Sequence, residues 1–178
     1  LNTDQFKVLN SAQMGALASD QLAALETADL ANLSTAALRG ITSDNIDALT
    51  SDQLKALGTA QIQSLTTQQL KGLTTDQIAR LSTGQIQALT TTQLSNLGTD
   101  SLNAMGSAQF ATLSSSQFGS LTTDQLSRME TADLRAVTTA ALRGLNSDQI
   151  QSLTSDEVGS MSTAQITTLT TAQIQGLE

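Results

Sequence analysis

The 178-residue sequence contains no cysteine, histidine, proline, tryptophan or tyrosine, and only three phenylalanines. Each absence removes a class of chemistry. Without His or Cys there is no Ser-His-Asp triad, no Cys-His pair, no thiolate or imidazole metal site, no haem ligand and no disulfide. The missing cysteine fits a reducing cytosol or a secreted protein that does without disulfides. Basic residues are also scarce, 8 Lys and Arg against 16 Asp and Glu, a net charge of -8 that repels nucleic acid and anionic membrane surfaces. No apolar run approaches the roughly 20 residues that span a bilayer, and the opening Leu1-Asn2-Thr3-Asp4-Gln5 has the pattern of no leader peptide. Membrane insertion and nucleic-acid partners are therefore not expected.

What is present is a repeat. Written in rows of eight, the chain is a single uninterrupted array over 1–178, with 22 complete octads and a two-residue stub, and it reads as a segment of a longer protein. Position 1 is Leu except at Ile41, Met105, Met129, Val137 and Met161, and position 6 is always apolar and holds Phe6, Phe110 and Phe118. Position 3 is Ser or Thr in all 22 octads, and position 5 is Gln in fifteen of them. The consensus is Leu-Thr-Thr-Asp/Ala-Gln-Leu/Ile-x-small. A longer echo lies over it: Glu26–Leu30 returns at Glu130–Leu134 and Thr35–Gly40 at Thr139–Gly144, both displaced by 104 residues, as are Phe6 and Phe110, and Gly15 and Gly119.

One continuous helix is a poor solution, because an octad advances the apolar stripe by roughly 80° each time and no partner could follow it. A continuous strand is also poor, since positions 1 and 6 then point to opposite faces. The local chemistry favours one short helix and a turn per octad. In Leu49-Thr50-Ser51-Asp52-Gln53-Leu54, Thr50 and Gln53 can form a capping box, with Leu49 and Leu54 as its hydrophobic staple. The same Ser/Thr-x-x-Gln pattern starts at Thr66, Thr74, Ser82, Thr90, Ser114, Thr122, Ser162 and Thr170, with Glu157 in place of Gln after Thr154. The poor caps Ala18, Glu26 and Glu130 at position 2 leave open a cap one residue later, at the uniform position-3 hydroxyl. Helices this short gain stability only by stacking octads on one another. The expected fold is an all-α short-repeat superhelical solenoid, with a β-solenoid as the alternative. Small residues at position 8, such as Ala56, Ser64 and Gly72, would allow close approach, and Gly40, Gly72, Gly144 and Gly176 could form the C-terminal turns. The spacing of 24 residues between Asp52, Asp76, Asp100, Asp124 and Asp148 suggests about three octads per superhelical turn.

Candidate sites all have simpler explanations. Position-4 Asp complements the helix dipole, and no EF-hand or Gly-rich calcium repeat accompanies it. The hydroxyl rows could face a glycan or ice, but capping would account for them. Gln at position 5 could bridge successive coils or close the capping box. The pairs Asp44 with Asp47 and Asp156 with Glu157 lack any sign of a pocket, and are expected to be exposed. Arg39 and Arg143 read as surface or helix-end charges, and Met14, Met105, Met129 and Met161 as core. No catalytic, cofactor-binding or metal residue is assigned, no cofactor is expected, and the chain is not expected to be an enzyme.

The register seen in Leu73-Thr74-Thr75-Asp76-Gln77-Ile78 and Leu169-Thr170-Thr171-Ala172-Gln173-Ile174 resembles octapeptide arrays of very long secreted or cell-surface bacterial proteins of adhesin-like or haemagglutinin-like type. The resemblance implies an extended spacer or stalk, outside the cell or at its surface, whose partners are the flanking domains of the same polypeptide. It carries no binding residue with it. A repetitive binding module for glycan, protein, calcium or ice is the competing reading, and exposed array ends are expected to drive head-to-tail self-association.

Overall fold

A computed structural model describes residues 3–177. Among them are 21 α-helices of four to six residues and one 3-10 helix, with no strand, so the chain is a short-repeat helical solenoid and the β-solenoid is excluded.

The octads share one construction. The position-2 residue is the extended N-cap, position 3 is the first helical residue, and the position-6 carbonyl accepts from the N–H of the next position 1, as Leu54 O does from Leu57 N at 3.2 Å. The corner consists of two extended residues, for example Leu57 (φ -66, ψ 131) and Gly58 (φ -70, ψ 161). Any residue adopts those angles, which explains how so many corners form with no proline. No described glycine has positive φ. The glycines at position 8 therefore do not act as left-handed C-caps. A Cβ on Gly40 would overlap the Ser11 carbonyl oxygen, and one on Gly144 that of Ser115, so they are needed for close approach of backbones.

The cap settles at position 2, one residue before the first helical residue. All ten of the expected boxes form, and Asn10 with Gln13 and Asn146 with Gln149 add two more. At Ala18, Gly58 and Gly106, which have no side-chain oxygen, half of the box remains: the cap N–H donates to the Oε1 of Gln21, Gln61 and Gln109 at 3.0, 2.8 and 2.8 Å. The position-3 hydroxyls are thus not caps. Those of Ser19 and Ser107 instead donate to Asn45 Oδ1 (3.1 Å) and Asp133 Oδ1 (2.7 Å), 26 residues further on.

One octad departs from the pattern. In Ile41–Ala48 position 5 is Asn45, one methylene too short to close the box, and its Nδ2 donates to the Leu17 carbonyl at 3.2 Å while the chain makes a turn and the 3-10 helix Ile46–Ala48. The expectation of an α-helix in each octad fails here, and the short position-5 side chain is not sufficient cause, since the octads of Asp29, Ala37, Ser101, Asp133 and Ala141 also lack the box and are α-helical.

The chain divides into two compact units, Leu1–Leu89 and Thr90–Glu178. In the first, helix Thr27–Asn32 packs on Ser51–Ala56, and Thr59–Ser64 on Thr83–Ala88; in the second, Ser107–Phe110 packs on Thr131–Ala136, and the latter on Ser155–Ser160. These partners are three octads apart. The core of each unit is the rows at positions 1 and 6, exemplified by Leu54, Leu57, Ile62 and Leu65 in the first and Phe110, Phe118, Leu126 and Met129 in the second, each at most 4 % exposed. Met14, Met105, Met129 and Met161 are in the core as expected.

Candidate functional site

The feature that organises both units is a ladder of buried glutamines. Closing the capping box orients each position-5 amide: Gln53 Oε1 accepts from the Thr50 N–H at 2.7 Å, and the Gln53 N–H donates to Thr50 Oγ1 at 3.3 Å. The amide nitrogen is left pointing at the preceding turn. Gln53 Nε2 donates to the carbonyls of Leu22 (2.9 Å) and Leu25 (2.7 Å), 31 and 28 residues earlier. Gln61 does the same to Leu30 and Leu33, Gln69 to Leu38 and Ile41, and Gln85 to Leu54 and Leu57, at 2.7 to 2.9 Å. In the second unit Gln125 reaches Leu94 and Leu97, Gln165 reaches Leu134 and Val137, and Gln173 reaches Leu142 and Leu145, at 2.8 to 2.9 Å. The two readings of Gln, inter-coil bridge and capping partner, are both true of the same side chain. A primary amide has an acceptor oxygen and two N–H donors, and these rungs use all three.

The offsets also fix the pitch within each unit. Helices pack at three octads, whereas the amides bond 28 and 31 residues back, so a turn takes more than three octads and fewer than four. The three-octad estimate from aspartate spacing falls short by a fraction of an octad.

The charged residues fall on both sides of expectation. Position-4 Asp52, Asp76, Asp100, Asp124 and Asp148 are exposed, as are Asp44, Asp47, Asp156, Arg39 and Arg143. Arg128 Nε pairs with Asp124 at 2.9 Å, both side chains well exposed. Glu157 is only 2 % exposed, contrary to the expectation for the Asp156–Glu157 pair, because it fills a glutamine slot and its Oε2 accepts from Thr154 N–H at 2.6 Å. Asp29 and Asp133 are also buried, at position 5 of the two Glu-Thr-Ala-Asp octads. Burial raises the Asp133 carboxyl above its ordinary 3.8, against the lowering effect of the Ser107 hydrogen bond, and Glu130 adds repulsion. Sequence reasoning misses these two because acids read as surface charge; their position in the octad is the available signal.

Among the described residues no three His, Cys, Asp or Glu side chains gather as metal ligands, and no helix is long and apolar enough to cross a membrane. The grooves are shallow, one of about 500 Å³ lined by Ser115, Thr139, Ala140, Arg143, Gly144 and Thr168, and one near each end of the chain. The ladder spends its amides on helix caps and on the carbonyls of the preceding turn. It joins turn to turn.

An octapeptide register, a capped short helix per octad and amide rungs between turns define a helical tandem-repeat protein. Within that class the chain belongs to the ALTTAQ repeat family, whose repeat model matches residues 22–59, 51–83, 81–115, 96–129 and 126–163. Those six letters are position 8 followed by positions 1 to 5 of the octad, approached by Ala88-Leu89-Thr90-Thr91-Thr92-Gln93. No curated protein matches the chain.

Proposed function

We propose that the chain is a structural spacer, a repeat segment of a large bacterial secreted or surface protein of adhesin-like type, working outside the cell or at its surface. It acts without catalysis or cofactor, engages neither nucleic acid nor the membrane interior, and has the flanking parts of its own polypeptide as partners. One observation carries the reading: most side chains that recur from octad to octad are turned inward. The position-1 and position-6 residues fill the core, position-2 hydroxyls cap helices, and position-5 amides join turns. Outward positions 7 vary, with Lys55, Gln63, Lys71 and Gln87 in successive and nearby octads, and all three Phe are buried. A recognition face ordinarily collects exposed aromatics or a single charge type. The resemblance to bacterial octapeptide arrays supplies the cellular context.

A second reading has one observation in its favour. The position-3 hydroxyls do not cap, and Thr59, Thr75 and Thr83 lie exposed at matching places in their octads, which a repetitive glycan or ice lattice could meet. Glycan-array binding, ice-recrystallisation assay and calcium titration of the chain test both readings together. A spacer gives no saturable response in any of them; a saturable response abolished by T59A/T75A/T83A replaces the spacer with a binding module.

A further inference from the structure

Glu157 stands where the fold elsewhere places an amide, and the echo of 104 residues pairs it with Gln53. Gln53 Nε2 lies among three backbone carbonyls of the preceding turn, those of Leu22 at 2.9 Å, Ala23 at 3.2 Å and Leu25 at 2.7 Å. The same displacement assigns the carbonyls of Leu126, Ser127 and Met129 to Glu157. The register is intact one octad further on, where Gln165 Nε2 donates to Leu134, Arg135 and Val137 at 2.9, 3.3 and 2.9 Å. The cap is also the same at both places. Gln53 Oε1 accepts from the Thr50 N–H at 2.7 Å and Glu157 Oε2 from the Thr154 N–H at 2.6 Å.

A carboxylate has the planar fork of a primary amide. With Oε2 fixed on the cap, Oε1 takes the place that the amide nitrogen has in Gln53, and the polarity of the slot is reversed. The nitrogen brings two hydrogens to the carbonyl oxygens, whereas the carboxylate oxygen brings none and adds a negative charge. Glu157 is 2 % exposed, and no hydrogen bond from a described residue reaches its Oε1 or the carbonyls of Ser127 and Met129. The Leu126 carbonyl has only the Met129 N–H, at 3.1 Å. The nearest basic side chain in sequence does not answer the charge, since Arg128 pairs with Asp124 at the surface. A buried carboxylate is ordinarily paired with a cation or bound to a metal ion.

We infer that a sodium ion completes this rung, held by Glu157 Oε1 and the carbonyl oxygens of Leu126, Ser127 and Met129. Four oxygens are hard ligands that suit a hard cation, and carbonyl oxygens replace the hydration shell of a monovalent ion. The single carboxylate balances a single positive charge. Calcium takes six to eight oxygens and magnesium keeps several waters in an octahedron, for which a slot the size of an amide group has no room. The ion does what the amide hydrogens do in the other rungs: it draws the carbonyls of one turn toward the position-5 side chain of the next. It lies between turns of the second unit and takes no part in the outward hydroxyl rows, so the inference does not rest on the spacer reading.

Urea titration at neutral pH in sodium chloride and in choline chloride of equal ionic strength tests it, on the unmodified chain and on Glu157→Gln. Choline is too large for the slot and controls for general screening. The folded-to-unfolded ratio of the unmodified chain should be at least roughly fivefold higher in sodium, as binding to the folded state alone requires, and that of Glu157→Gln should differ less than about twofold between the salts. Sodium NMR reads the ion directly: its line broadens with the unmodified chain and much less with the variant at the same concentration. Far-UV circular dichroism checks that the variant folds, and Glu157→Ala replaces it if it does not. Equal stability of the unmodified chain in both salts overturns the inference, as does a sodium response or line broadening that persists undiminished in the variant. The triple substitution T59A/T75A/T83A leaves the sodium response unchanged, which separates this ion from a ligand of the outer surface.

Discussion

Two kinds of junction hold successive turns together, and they differ in whether a buried amide crosses from one turn to the next. In the stretch Thr50–Leu89 every octad has Gln at position 5, and an amide spans the gap to the carbonyls of the turn before. In the blocks that echo each other at 104 residues, position 5 is Ala37 or Ala141, and no amide is available. The gap is closed there by bringing backbone onto backbone, Gly40 against Ser11 and Gly15, and Gly144 against Ser115 and Gly119. The pairing explains why Gly15 and Gly40 recur together as Gly119 and Gly144. A long polar side chain and a close backbone approach are two ways of joining turns, and they coincide where Gln69 reaches Leu38 and Ile41 while Gly72 lies against the Ser43 carbonyl. The first supplies specific hydrogen bonds, and the second supplies van der Waals contact and excludes water.

The sharpest way to break the small-residue junction is Gly144→Ala. Its Cβ would overlap the Ser115 carbonyl oxygen, a backbone atom that cannot swing away. A loss of about 3 kcal/mol or more is expected, at or beyond the upper end of ordinary overpacking. The control is Gly84→Ala in helix Thr83–Ala88, where a Cβ meets nothing within 4 Å. There the gain in helix propensity should stabilise by about 0.5–1 kcal/mol. Urea titration of both variants reads the pair; equal effects would show that the close approach is not what the glycine serves.

The amide junction breaks next. Gln61→Ala removes the bonds to Leu30 and Leu33, leaves the Leu33 carbonyl without its partner and the Leu30 carbonyl with only the Leu33 N–H, and opens a cavity, for an expected loss of about 2–4 kcal/mol. Gln13→Ala, whose amide nitrogen makes no bond to a described residue, should cost about 0.5 kcal/mol or less in the monomer, the residual worth of its half of the capping box. A comparable loss at both positions in thermal melts would mean that the amide acts only within its own octad.

Much of this is legible in the octad. The capping boxes, the staple and the two apolar rows follow from the 3.6-residue helical period and the side-chain chemistry of Thr and Gln, and they place nearly every helix to within one residue. What stays hidden is information carried between turns. Whether Gln53 reaches Leu22 depends on the pitch, and the pitch is the sum of many small corner angles that no single octad encodes. The aspartate spacing points to three octads, yet those residues are exposed and nothing makes them align. Glycine is obscure for a related reason: the sequence shows that Gly40 follows a helix, but only the folded chain shows Ser11 against it.

Glu157 tests how much of a rung depends on the amide nitrogen. It keeps the box, with Oε2 accepting from Thr154 and its own N–H donating to Thr154 Oγ1 at 3.2 Å, but it has no amide hydrogen for the carbonyls of Leu126 and Met129, the acceptors that the register of Gln125 and Gln165 assigns to it. Glu157→Gln completes that rung. Two hydrogen bonds to buried carbonyls are expected to raise stability by about 1–2 kcal/mol, seen as a higher melting temperature. An unchanged melting point would mean that the added amide gains nothing over the Met129 N–H that the Leu126 carbonyl already accepts and over the present surroundings of the Met129 carbonyl.

The smallest effect expected is that of Asp133, where a rung is replaced by a different bond altogether. Its Oδ1 accepts from the Ser107 hydroxyl at 2.7 Å, reaching back to the preceding turn as the glutamines do, but with a carboxylate in a buried place. Because the folded-state pKa is raised above 3.8, chiefly by burial, the folded chain binds this proton more tightly than the unfolded one. Stability then falls as pH rises from about 4 through the folded-state value, and the neutral acid gives the more stable fold. Asp133→Asn removes the titration while keeping an acceptor for Ser107. Subtracting the urea-derived stability of the variant from that of the unmodified chain should leave a difference that shifts toward the unmodified chain as pH falls through this range and levels off above the folded-state pKa. A difference independent of pH would show that the hydrogen bond from Ser107 and the loss of solvent cancel, and that the buried acid joins the turns at no electrostatic cost.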